Sequence, residues 1–269
     1  MKIKHIIPSL MLLFWAACTP TASPADTSAP VTLHVFAAAS LTEAFTEIGH
    51  TFEAQHAGVT VVFNFAGSSQ LAQQISEGAL GDIFASANKP QMEVAMQGGR
   101  ITEGSAQIFA TNRLVVIYPA ANPAGLATLQ DLSHPGLRVI LAAKDVPVGG
   151  YTLDFLDKTV QDANFTPTFK DEVLANVVSY EQSVRAVLTK VVLGEADAGV
   201  VYTSDVTGDT ASQVGQIEIP DELNVIASYP IATLNDSTNP DLAAAFVAYV
   251  LSPDGQQILA KYGFITVGE

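Results

Sequence analysis

A chain of 269 residues, 48% hydrophobic and only 14% charged, has the composition of a filled globular core, and its length suits two ordinary domains or one large α/β unit. Its formal net charge of −15 argues against nucleic acid and against an anionic membrane surface, both of which select for Lys and Arg patches, while a basic protein partner stays open. The lone cysteine, Cys18, excludes an intramolecular disulfide and, within the folded part, a Cys-based metal site or a cysteine nucleophile.

The first eighteen residues read as an export signal. Lys2 and Lys4 precede an apolar stretch from Ile6 to Trp15, too short to span a bilayer well, and Ala16-Ala17-Cys18 forms a small-residue junction. The junction resembles that of a bacterial lipoprotein, in which Cys18 would become a lipidated N-terminus; Trp15 stands where Leu is usual, and ordinary secretion is the alternative. Loss of residues 1–18 removes Lys2 and Lys4 and takes the formal charge from −15 to −17. Residues 19–30 are small, polar and proline-rich, as in a flexible tether.

Val31 to Phe36 alternates as a strand, and Leu41, Ala44, Phe45, Ile48 and Phe52 then recur at helical spacing up to Gly58. Between them lie Ala37, Ala38, Ala39 and Ser40. A helix start carries unpaired N–H groups and partial positive charge, so this junction could hold an anion. Ser40 and Glu43 also stand as S-x-x-E, and on this motif alone the favoured reading is a capping box. A second strand, Val59 to Phe65, turns through Ala66-Gly-Ser-Ser-Gln70 into a helical segment from Leu71 to Glu77, with Ser68 or Ser69 as the expected cap. Asp82 to Ser86 is a short strand, followed by a helix that opens near Pro90 and stops at Gly98-Gly99. Leu114–Pro119 and Leu137–Ala142 are apolar runs of the kind found in sheets covered on both faces, and Thr128 and Asp131 bracket a helical turn between them. The loop Asp145 to Gly150 forms a third junction, leading into a helix from about Tyr151, and its glycines would let backbone approach a ligand. Ser183 to Leu193 has the periodicity of a helix; Ala198 to Tyr202 reads as a buried strand ending in either a packed aromatic or a cleft donor. Strands are expected around Ile217, Val225 and Ile231, then a helix over Leu242 to Leu251 and another after Ser252-Pro-Asp-Gly255.

Alternating strands and helices predict an α/β protein with largely parallel sheets, in which ligands sit beyond the carboxyl ends of the strands. Catalysis finds little support. There is no G-x-S-x-G, and His50 and His56 fall near a helix end where solvation is the ordinary state. Asp154/Asp157 and Glu195/Asp197 read as solvated faces rather than a glycosidase pair, no His/carboxylate cluster suggests a metal, and no P-loop or dinucleotide motif is present. A sugar receptor would want more stacking surface than 8% aromatics and one Trp supply.

Eight segments in order carry a family likeness: Phe36-Ala-Ala-Ala-Ser40-Leu-Thr, Phe65-Ala-Gly-Ser-Ser69-Gln-Leu, Gly81-Asp-Ile-Phe-Ala-Ser86-Ala, Val146-Pro-Val-Gly149, Ser183-Val-Arg185, Gly199-Val-Val-Tyr202-Thr-Ser-Asp205, Tyr229-Pro230 and Lys261-Tyr-Gly-Phe264. Together they resemble the molybdate-binding proteins of bacterial ABC importers. The resemblance implies a two-lobed periplasmic-binding-protein fold of type II, each lobe a mainly parallel sheet flanked by helices, with residues 31–112 plus 229–269 in one lobe and 113–228 in the other. It implies a tetrahedral dianion held in the cleft by the hydroxyl and N–H of Ser40, the hydroxyl and N–H of Ser68 with Ser69 as alternate, the N–H groups of Val148 and Val184, and the hydroxyl of Tyr202. Gly67 stands where a serine is common and Val148 where an alanine is common. No cofactor, no direct metal ligand and no catalytic residue is implied. The expected partners are molybdate or tungstate and a membrane permease, with an exported monomer, at the cell membrane as a lipoprotein or in the periplasm. A sulfate or other oxyanion receptor is the alternative, and a secreted serine hydrolase a more distant one.

Overall fold

The computed structural model describes Met1 and residues 30–267. Residues 2–18 of the export signal, Cys18 among them, and all but the last residue of the tether lie outside the described residues. Two sheets organise the chain, each flanked by helices.

The first begins with β1 (Val31–Ala38), whose alternating start gives way to a run buried on both faces. A 3-10 turn at Ala39–Leu41 leads into α1 (Thr42–Gln55), which buries Ala44, Phe45, Ile48 and Phe52. Then come β2 (Val59–Ala66), α2 (Ser68–Ser76), β3 (Ile83–Ala85), α3 (Lys89–Gln97) and β4 (Gln107–Asn112). Asn88 caps α3 by accepting from the Gln91 N–H at 3.0 Å, and Pro90 lies in the first turn, where a missing N–H costs nothing.

The second sheet is built from β5 (Leu114–Pro119), β6 (Val139–Ala142), β7 (Val177–Glu181), β8 (Ala198–Tyr202) and β9 (Val214–Glu218), with α4 (Pro147–Thr159), α5 (Phe169–Ala175) and α6 (Val184–Val192) packed on it. The chain then returns to the first sheet through β10 (Ala227–Thr233), α7 (Pro240–Leu251), α8 (Pro253–Lys261) and β11 (Ile265–Thr266).

Strand orders are β11-β4-β10-β3-β1-β2 and β7-β6-β8-β5-β9. Parallel pairing is confined to β3-β1-β2 and β7-β6-β8, and the strands next to the two crossings between sheets pair antiparallel, so both sheets are mixed. The parallel segments are those joined by helical crossovers, as parallel pairing requires.

Several local expectations are corrected. α4 starts at Pro147 rather than near Tyr151, because Pro fits the first helical turn and the two glycines are accommodated within it. Likewise α7 starts at Pro240. Val225 lies in no strand; it follows Asn224, whose side chain binds the Leu114 N–H and carbonyl and holds this segment against β5.

One face of the first sheet packs Phe45 against Phe109 with ring centres 5.6 Å apart, and Phe52 against Phe246 at 5.1 Å. The opposite face buries Phe36, Leu71, Ile75, Phe84 and Met92 under α2 and α3. Burial of that kind, at roughly 25 cal/mol per Å² of apolar surface, fixes where β1 and the helix starts above it end. Among the described residues no helix is long and apolar enough to cross a membrane.

Candidate functional site

At the carboxyl ends of β1, β2, β6 and β8 the two lobes border a small cavity of about 10 Å³. Ala38, Ala39, Ser40, Gly67, Ser68 and Ala87 line it from the first lobe, and Val146, Pro147, Val148, Val184 and Tyr202 from the second. Ser40, Ser68, Val148, Val184 and Tyr202, far apart in the chain, thus share one cavity. Ser69 does not line it; its Oγ is buried nearby with no hydrogen-bond partner.

The donors are set by helix starts. Ser68 and Val184 are the first residues of α2 and α6, and Val148 follows Pro147, the first of α4. N–H groups at these positions have no acceptor within their helix. No side-chain cap takes those groups: the Ser183 side chain accepts the Ala186 N–H at 3.3 Å, two residues beyond Val184, and α2 and α4 have no side-chain cap. Three helix N-termini and a 3-10 turn therefore bring partial positive charge to one point.

The Ser40 expectation of a capping box fails. The residue before α1 is Leu41, no side chain caps it, and the Ser40 Oγ lies 3.0 Å from the Tyr229 Oη, 189 residues away. Glu43 reaches across to the Arg185 guanidinium of the opposite lobe. A tertiary partner outcompetes the local one in both cases. Capping by Ser68 or Ser69 is corrected too: Gly67 is the cap residue of α2, and the Ser68 Oγ accepts the Ala87 N–H at 3.0 Å, which leaves its own proton to donate into the cavity.

Tyr202 is 1% exposed and its hydroxyl, lining the cavity, has no partner. Its ring meets Tyr229 edge-on at 5.8 Å, and burial raises both phenol pKa values well above the usual one, so both stay protonated donors. Behind them lies Asp205, fully buried. One carboxylate oxygen accepts the Tyr202 N–H at 3.0 Å and the other is unpaired; burial pushes the group up to about 6, against the pull of Arg185 and that N–H.

No Lys, Arg or His lines the cavity. His34 and His50 are exposed, and His56 stacks on Phe52 with centres 3.9 Å apart. Asp157 pairs with Lys170 and Asp197 with Arg138, so the latter is pinned rather than merely solvated. Among the described residues no group of His, Cys, Asp and Glu could hold a metal ion. Gly149 keeps close contact with its own lobe rather than with a ligand, since a Cβ there would lie 2.0 Å from the Ala143 carbonyl oxygen.

Sequence reasoning missed Tyr229 as a partner of Ser40, although Tyr229-Pro230 was visible; Pro230 marks the register shift of β10 that follows this tyrosine. It also missed Asn112 and Asn224 at the two crossings between sheets. Asn112 donates to the Ser204 Oγ at 2.7 Å and accepts from the Thr203 Oγ1 at 3.0 Å. Buried asparagines in connecting segments carry no periodic signal.

A cavity of neutral donors at the switch between two α/β lobes can hold a small, fully ionised oxyanion. Comparison with known proteins agrees with this. Residues 33–265 match the model of a family described as bacterial extracellular solute-binding protein. The chain is 39% identical over 263 residues to the molybdate-binding protein ModA of Mycobacterium tuberculosis H37Rv, covering 96% of this chain and 95% of that one. Among solved structures, the periplasmic molybdate-binding protein of Azotobacter vinelandii superposes with a TM-score of 0.75 at 20% identity, over 88% of this chain and 100% of that one. The sulfate-binding protein SubI of M. tuberculosis H37Rv gives 0.77 at 19% over 88% and 87%; both likenesses speak for the fold. The chain belongs to the bacterial extracellular solute-binding protein family.

Proposed function

We propose that this protein captures molybdate, and equally tungstate, outside the cytoplasm and delivers it to an ABC importer, without catalytic activity of its own. The observation that carries the reading is the donor set: the hydroxyls of Ser40, Ser68 and Tyr202 and the helix-start N–H groups of Ser40, Ser68, Val148 and Val184 border one cavity with no cation. The identity to a ModA protein along nearly the whole chain supports molybdate as the ligand.

Each hydrogen bond to a charged acceptor is worth roughly 1.5–3 kcal/mol, so a handful offset the desolvation of a dianion even in an acidic protein. The backbone N–H donors, which cannot accept, also disfavour a protonated oxyanion, whose own proton would face another proton. That disfavours hydrogen phosphate at neutral pH. Sulfate must be rejected by size, Mo–O bonds being longer than S–O bonds, and the likeness to a sulfate-binding fold makes it the second reading.

Titration calorimetry with molybdate, tungstate, sulfate and phosphate tests this. Molybdate and tungstate are expected to bind tightly and alike, with sulfate and phosphate weak. Equal affinity for sulfate reassigns the ligand, and no oxyanion binding rejects the reading. Attachment through a lipidated Cys18, a monomeric state and a permease partner belong to the same proposal; mass spectrometry of the mature N-terminus tests the first.

A further inference from the structure

We infer that Tyr229, which does not line the ligand cavity, is a positioning residue for the anion: its hydroxyl donates to the Ser40 Oγ and so leaves the Ser40 proton to point at the ligand. This deepens the receptor reading above and rests on it.

A serine hydroxyl carries one proton and two lone pairs, and it turns its proton to whichever neighbour accepts it. The backbone N–H groups of the cavity can only donate, whereas Ser40 can do either. Facing a dianion, only the proton helps. The Ser40 Oγ lies 3.0 Å from the Tyr229 Oη, and the two residues are 4% and 0% exposed, so water does not compete for the contact. The distance is the same whichever oxygen donates. The surroundings of Tyr229 fix the direction.

Burial keeps the Tyr229 phenol protonated, so its proton needs an acceptor. The Tyr202 hydroxyl and the free Asp205 oxygen have no hydrogen-bond partner, so neither takes it. Asn112, whose side chain also reaches the Tyr229 hydroxyl, cannot take it either. Its Oδ1 accepts the Arg113 N–H at 2.9 Å and the Thr203 Oγ1 at 3.0 Å, and the main-chain donor settles which end of the amide is oxygen. Its Nδ2 gives one proton to the Ser204 Oγ at 2.7 Å and keeps the other to donate to Tyr229. Among the described residues the Ser40 Oγ is the acceptor that remains. The protons then run one way, from Asn112 at the crossing between the lobes, through Tyr229 and Ser40, into the cavity. Reversing the Ser40–Tyr229 bond would aim a lone pair at the anion and strand the Tyr229 proton. Ser68 is held by the same logic, since the Ala87 N–H at 3.0 Å occupies its oxygen and frees its proton. One hydroxyl is oriented by the main chain and the other by a side chain 189 residues away.

The direct test is neutron diffraction from perdeuterated crystals of the protein grown without ligand. The Tyr229 deuteron is expected on the line to the Ser40 Oγ; a Ser40 deuteron on the line to the Tyr229 Oη overturns the inference. Titration calorimetry supplies the functional counterpart. Tyr229→Phe, which removes the hydroxyl and keeps the ring, should weaken molybdate roughly three- to ten-fold. In a Ser40→Ala background the same change should cost less than about two-fold, because no hydroxyl is left to orient. In a Ser68→Ala background it should keep its full cost. Equal losses in all three backgrounds, or no loss in any, overturn the inference, since Tyr229 would then serve packing alone. If Tyr229→Phe fails to fold, the deuteron positions decide. If the wild type prefers sulfate, the ligand reading fails while the same series with sulfate decides on Tyr229. If it binds no oxyanion, the receptor reading fails, and the deuteron positions still decide which oxygen donates.

Discussion

Tyr202 keeps a buried hydroxyl without a partner, an arrangement that costs roughly 1–3 kcal/mol and that a bound oxyanion would relieve. Tyr202→Phe should therefore move two quantities in opposite directions: molybdate affinity falls roughly ten-fold or more, and the ligand-free protein melts at a higher temperature. Calorimetry and thermal unfolding on one sample check both. Ser40→Ala should weaken molybdate by a similar factor, with a loss of about 1 kcal/mol in stability because the Tyr229 hydroxyl loses its contact. An unchanged affinity would mean that Ser40 serves Tyr229 only. Asp205 yields a pH prediction. Burial raises its folded pKa to about 6 against an unfolded value of about 3.9, so the unfolded chain releases the proton first as pH rises. Its contribution is fully present below about pH 4 and lost by the time the pH passes 6, a change of roughly 3 kcal/mol. Asp205→Asn should remove that slope, read as the difference between wild-type and variant denaturation midpoints from pH 4 to 7. Glu181 and Asp197, whose pKa values are lowered by Lys190 and Arg138, act the other way and at lower pH.

The existence of the four helices around the site was the most legible feature. α1, α2, α4 and α6 all stand where hydrophobic periodicity of 3.6 follows a β-branched run, and their N-terminal residues are the ones the family likeness selects. Their exact beginnings were less legible. Pro147 and Pro240 open helices that periodicity alone starts later, because proline and glycine read as loop residues until their place in the first turn is known. α5 and β7 had no clear signal: seven and five residues are too short to show a period, and β7 has two partly exposed hydrophobic residues at the sheet edge, Val178 and Tyr180. The tight seat of α4 makes Gly149→Ala a test of the element. Overlap with two main-chain carbonyls should cost about 2 kcal/mol or more of stability, measured by urea denaturation, or prevent folding.

The chain passes between its sheets twice, at Asn112–Arg113 and between Glu218 and Ala227, so the lobes are joined by two short crossings stapled by Asn112 and Asn224. A ligand gripped by both lobes should couple their unfolding. Scanning calorimetry at molybdate one hundred times its Kd should show a single transition stabilised by about 2.7 kcal/mol. Two separate transitions would mean that the anion is held by one lobe alone. The sequence by itself determined the alternation of strands and helices, the acidic surface and the small-residue turns, because these follow from local periodicity, charge and steric freedom. Only the tertiary structure decided what those turns do. Ser40 abandons the cap for Tyr229, Glu43 leaves its helix for Arg185, and Gly67 lies against Gln182; each partner is more than one hundred residues away. Hydrogen-bond and steric partners at that separation are chosen by how the lobes pack, and no local pattern encodes that choice.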